Sequence, residues 1–140
     1  MSSYSRAGQL AAYQSVAAHG GVAAADPHRL VLMLMDGALE RIAAARGCIQ
    51  SKATIEKARV VHRAVAIIDE LRCSLDLDKG GPIAANLDDL YDYCCRQLLR
   101  GSVQNRVEFL DEVATLLKEI RSAWIALPSA GRELSAAAAR

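Results

Sequence analysis

Apolar residues recur at three- and four-residue spacing in four separate runs of this chain, a spacing that predicts four amphipathic helices. In the first run Val31, Leu34, Ala38, Ile42, Ala45 and Ile49 share one face. Asp26 suits its N-cap, and Pro27 suits the first helical position, where a missing N–H costs nothing. The second run starts near Thr54 as N-cap and aligns Ala58, Val61, Val65, Ile68, Leu71 and Leu75. It ends before Gly80–Gly81, whose permissive backbone suits a helix terminus. Pro82 opens the third run, in which Ile83, Leu87, Tyr91, Cys94 and Leu98 line one face and Gly101 reads as the stop. Asn105 reads as the N-cap of the fourth, with Glu108 at capping-box spacing. Its stripe is Val107, Leu110, Val113, Leu117, Ile120, Trp124 and Leu127. The apolar run Leu30–Met35 followed by Asp36–Gly37 imitates a strand and a turn, but the Asp-Pro start and the further helical turns argue against that.

Connections of about four to six residues make successive helices antiparallel neighbours, so the expected fold is all-α, an antiparallel four-helix bundle. The bundle is placed at residues 26–127. Residues 1–25, rich in Ala, Gly and Ser, read as an arm with a short helix near Gln9–Ala18, and residues 128–140 as a flexible tail.

Composition narrows the class. At 140 residues with 52% hydrophobic and 24% charged residues, the chain fits one soluble domain. The run Leu30–Met35 is far short of the ~18 apolar residues that span a bilayer. The N-terminus lacks the apolar core of a secretory signal. Seventeen Lys and Arg against sixteen Asp and Glu, interleaved, give a formal charge of +1, without the basic stripe of a nucleic-acid binder. The cluster Lys57, Arg59 and Arg63 reads as a solvated helix face. Cys48, Cys73, Cys94 and Cys95 lack metal-ligand spacing and read as small hydrophobes in a reducing cytosol.

The residues do not assemble a reaction centre. A di-iron bundle needs Glu-x-x-His motifs, and no Glu here has a His three residues later. His19, His28 and His62 fall in the arm, a first helical turn and a helix surface. Asp88 and Asp92 share a face that is most simply solvated. Gly80–Gly81–Pro82 lacks the Lys of a phosphate-binding loop. No cofactor or metal is expected. A metal-binding bundle protein, a helical adaptor and a module that only dimerises are the competing readings.

What stands out is apolar surface beyond one stripe: Leu30, Leu32, Met33, Met35 and Leu39 on the first helix, Tyr93 and Leu99 on the third, Phe109 and Leu116 on the fourth. One stripe suffices for a bundle, so extra faces need another cover, either a wide core or a partner helix in a groove. The candidate partner-binding residues are Tyr13, Leu30, Met33, Met35, Leu39, Leu71, Leu75, Tyr91 and Tyr93, of which Leu71, Leu75 and Tyr91 also belong to the core stripes.

Five stretches form an ordered series, beginning with Tyr13–Gln14, the run Asp26-Pro-His-Arg-Leu-Val-Leu-Met-Leu-Met-Asp-Gly-Ala38, and Ile67-Ile-Asp-Glu-Leu71. The series continues through Gly80-Gly-Pro-Ile-Ala-Ala-Asn-Leu-Asp-Asp-Leu-Tyr-Asp-Tyr93 and Leu116-Leu-Lys-Glu-Ile-Arg-Ser-Ala-Trp124. On these motifs the chain resembles the FliS family of flagellin-export chaperones. The resemblance spans about residues 13 to 127, and the Gly80–Tyr93 block is the most specific. Met35 stands where the family usually has Tyr, and Pro82 where Glu is common. The resemblance implies a cytoplasmic chaperone that binds the disordered C-terminal segment of flagellin and holds it for flagellar type III export. It implies no nucleotide, metal, nucleic acid or membrane insertion, and it leaves room for a weak homodimer. An N-terminal Tyr lies at the family's partner-binding region, which implies that role for Tyr13.

Overall fold

A computed structural model describes residues 27–126 as four helices and no strand. They are α1 (Pro27–Ser51), α2 (Thr54–Cys73), α3 (Leu77–Gln104) and α4 (Val107–Ile125). Each helix packs on its neighbours in sequence, and α1 closes the ring against α4. The cross-helix bonds fix the directions. Asp36 meets Arg121 while Arg46 meets Asp111, so α1 and α4 run antiparallel. Lys57 meets Ser102 while Arg72 meets Asp88, so α2 and α3 do too. The expected four-helix bundle is the observed fold.

The core is built from the expected stripes. Val31, Leu34, Ala38, Ile42 and Ala45 of α1 face Val61, Ile68 and Leu71 of α2 and Leu87, Tyr91, Cys94 and Leu98 of α3. Leu110, Val113, Leu117 and Trp124 of α4 complete it. Burying one Val, Leu, Ile or Met side chain contributes ~1.5–3 kcal/mol, so these residues dominate the gain on folding. Ala58 and Ile83, assigned to stripes from spacing, are exposed instead.

The helix ends differ from expectation in instructive ways. Ala53, not Thr54, is the N-cap of α2, and it makes no side-chain cap bond. Helix α3 begins before Pro82: Asp76 accepts from the backbone N–H of Asp78 and Lys79 and caps a first turn. Gly81 then interrupts the helix at φ 54°, ψ −135°, a conformation costly for any residue with a Cβ, and Pro82 restarts it. Gly101 does not stop α3 but lies buried inside it. Asn105 is the left-handed C-cap of α3 (φ 54°) rather than the N-cap of α4, which is Arg106. Glu108 accordingly meets Arg106 and not Asn105. Asp26, the arm, Leu127 and the tail lie outside the described residues.

Candidate functional site

The surplus apolar side chains separate into two groups once their burial is known. Met35, expected outside the stripe, is 0% exposed, and Leu71 and Tyr91 are 1% exposed. The correction has a packing reason. Helix α1 touches both α2 and α4, so its buried face is wide enough to take adjacent Leu34 and Met35. Burial pushes the Tyr91 phenol well above its ordinary value, which matches a ring in the core. Leu32, Leu39, Leu75 and Leu116 are half-buried and packed against the core. Leu30 is half-buried at the start of α1.

Other side chains remain open to solvent. Met33 of α1 is 43% exposed, and Leu77 and Ile83 at the start of α3 and Ile125 at the end of α4 are also exposed. The helix directions put these at one end of the bundle. At the other end Ile55 of α2 and Val103 of α3 are 81% and 82% exposed, with Leu99 one turn before Val103. Periodicity missed Ile55, Leu77 and Val103 because they fall outside the stripes, where an isolated apolar residue has no pattern to announce it.

Polar seams fix the helices around these surfaces. Between α3 and α4, Tyr93 donates its hydroxyl to Glu112 at 2.6 Å and Gln97 donates its amide at 3.0 Å. The Tyr93 bond above all, with that of Gln97, holds the Glu112 carboxyl below the usual carboxylate range. Tyr93 is therefore a half-buried ring whose hydroxyl is already engaged. Between α2 and α3, Arg72 reaches Asp88 at 2.7 Å and Asp92 at 3.1 Å, so the aspartates expected on a solvated face form a cross-helix bridge. Lys57, expected on a solvated face, is buried and spans the same pair of helices. His28, placed correctly in the first turn of α1, is buried and stacks on Trp124, whose indole N–H donates to the His28 carbonyl at 3.2 Å.

Among the described residues, apolar side chains stand open at both ends of the bundle while polar ones pair across its seams. Burial pushes the Cys94 thiol up to about 12 and the Cys95 thiol up to about 11, so neither is a ready thiolate. Among the described residues no group of three His, Cys, Asp or Glu could hold a metal ion, and no helix is long and apolar enough to cross a membrane. Tyr13 lies outside the described residues.

The sequence matches the family described as "Flagellar protein FliS" over residues 9–130. It is 43% identical over 112 residues to the flagellar secretion chaperone FliSB of Pseudomonas aeruginosa, covering 80% of this chain and 89% of that one. It is 38% identical over 130 residues to the flagellar secretion chaperone FliS of Vibrio cholerae, covering 93% and 96%. The Salmonella typhimurium flagellar secretion chaperone FliS is similar at 39% over 116 residues, 82% and 86% of the two chains.

Proposed function

This chain belongs to the FliS family of flagellar proteins, and from that premise we propose that it is a cytoplasmic export chaperone for flagellin. It binds the disordered C-terminal segment of flagellin, prevents premature polymerisation, and keeps the subunit competent for the flagellar type III apparatus. It works by binding alone, without catalysis or cofactor. The observation that carries this reading is the family match over nearly the whole chain, including relatives named flagellar secretion chaperones.

The apolar surface left on the bundle supports it. A disordered segment that orders on binding must bury a large area to offset its lost entropy. Met33 and its half-buried neighbours Leu30 and Leu39, with Leu75 after α2 and Tyr93 on α3, are the described residues proposed to meet the segment. Met33 suits an adaptable contact because its unbranched thioether repacks easily. Met35, Leu71 and Tyr91 contribute from beneath, as the core that shapes the surface. Tyr13 is proposed to reach the same region from the arm.

The reading is tested by following flagellin polymerisation by light scattering with increasing amounts of the full chain. Suppression that saturates near stoichiometric chaperone is expected. Polymerisation at an unchanged rate contradicts it.

A further inference from the structure

The charges of the described residues balance overall but are segregated along the bundle. The half containing the α1–α2 and α3–α4 turns, residues 41–63 and 93–112, holds nine Lys and Arg against four Asp and Glu. The other half, residues 27–40, 64–92 and 113–126, holds five against ten. The two most exposed large apolar side chains, Ile55 and Val103, both stand in the basic half. Each lies within two residues of an end of the bond from Lys57 Nζ to the Ser102 carbonyl, which holds the start of α2 to the end of α3. Leu99 lies one turn from Val103 on the same face of α3.

Close in the chain to Leu99 and Val103, the backbone fixes a cationic cluster. A Cβ on Gly101 would stand 2.5 Å from Leu110 Cδ1 and 3.0 Å from Phe109 Cβ, so its absence lets α4 press closely on α3. The Phe109 ring then sits 5.3 Å from the Arg100 guanidinium carbon and 5.8 Å from that of Arg106. One ring thus meets two cations. Arg106 also meets Glu108 at 3.4 Å, whereas no carboxylate partner of Arg100 occurs among the described contacts. Guanidinium donors next to uncovered aliphatic side chains match a surface that offers carboxylates and apolar groups together.

We infer that this basic end is a docking surface for an acidic amphipathic helix of another protein. The helix's apolar face covers Ile55, Leu99 and Val103, and its Asp or Glu side chains meet Arg100 and Arg106. The chain's own ends do not supply such a helix, since residues 1–26 and 127–140 contain one acidic residue each, Asp26 and Glu133. A nucleic-acid backbone fits less well, because it would leave Ile55 and Val103 uncovered and meet Glu108 and Asp111 at the rim. The surface lies at the opposite end from Leu30, Met33 and Leu75. Of the described residues proposed to meet flagellin only Tyr93 stands in the same half, and the docking surface does not rest on the flagellin reading.

The test uses the isotope-labelled full chain and three probes: a synthetic helical peptide with a Leu face flanked by Glu, the same peptide with Lys for Glu, and a single-stranded oligonucleotide. The Glu peptide is expected to bind, with amide shifts centred on Ile55, Leu99, Arg100, Val103 and Phe109, and to weaken as salt rises. Arg100→Glu and Val103→Asp, both at exposed positions, are each expected to weaken it roughly tenfold while far-UV circular dichroism stays unchanged. Failure of the Glu peptide to bind, equal binding of the Lys peptide, tighter binding of the oligonucleotide, or shifts centred on the acidic end would each overturn the inference.

Discussion

Lys57 Nζ donates to Asn105 Oδ1 at 2.8 Å, and to the Ser102 carbonyl at the same distance. A side chain from the first turn of α2 thereby satisfies a carbonyl in the last turn of α3 and pins the residue that ends it. Cations near helix C-termini are favourable, and a donor that is buried and doubly bonded adds to that. Lys57→Met keeps the aliphatic stem but removes both side-chain bonds and leaves the Ser102 carbonyl only the long 3.4 Å bond from the Asn105 N–H, so a loss of about 1–3 kcal/mol is expected in urea unfolding. Asn105 is also left-handed, at φ 54°. Asn105→Gly is expected to cost less than Asn105→Ala, because Gly loses the bond but relieves the backbone. Equal losses would show that the left-handed backbone contributes nothing.

Two glycines give opposite expectations. At Gly101 an added Cβ meets Leu110 Cδ1 at 2.5 Å and the Arg106 backbone oxygen at 3.0 Å. The oxygen belongs to the α3–α4 turn and cannot step aside cheaply, so Gly101→Ala is expected to destabilise by about 1–3 kcal/mol. At Gly47, within α1, nothing stands within 4 Å of the added atom. Gly47→Ala is expected to stabilise by about 0.5–1 kcal/mol, through helix propensity alone. Thermal melts of both variants check the pair, and the same sign at both positions would break the packing account.

The Tyr93–Glu112 contact predicts an acid-side pH dependence. Glu112 has its folded value lowered, so its contribution is present above the unfolded carboxylate value of about 4.3 and fades as pH falls through the folded one. Tyr93→Phe removes the 2.6 Å donor. The Glu112 titration followed by NMR is then expected to move up toward the ordinary value, and stability to fall less steeply between pH 5 and pH 2. An unmoved titration would assign the shift to Gln97 instead.

The repeating features of the fold were legible in the sequence, and the features made by meetings between distant residues were not. Val31, Leu34, Ala38 and Ile42 declare α1 because burial on one helix face leaves a 3.6-residue period. Periodicity puts Met35 off the stripe because that period assumes one neighbour, while α1 has two. Lys57 looked like a solvated charge because its acceptors lie 45 and 48 residues away. Asp88 and Asp92 hid their role in the same way, since Arg72 sits on another helix. Asn105 stands between two helices and by sequence suits either end, and only its φ decides. For the candidate site, the excess of apolar residues was visible. Which of them stay uncovered depends on packing, and Ile55 and Val103 follow no stripe.

The central claim is that this bundle holds a disordered flagellin segment on its apolar surface. Isothermal calorimetry of the full chain with a peptide of flagellin's C-terminal segment, repeated at several temperatures, tests it most directly. The account predicts saturable binding with a clearly negative heat-capacity change, the mark of buried apolar area, and weaker binding to Met33→Asp at unchanged helicity. Absence of saturable binding, or binding with no heat-capacity change and no response to Met33→Asp, would contradict it.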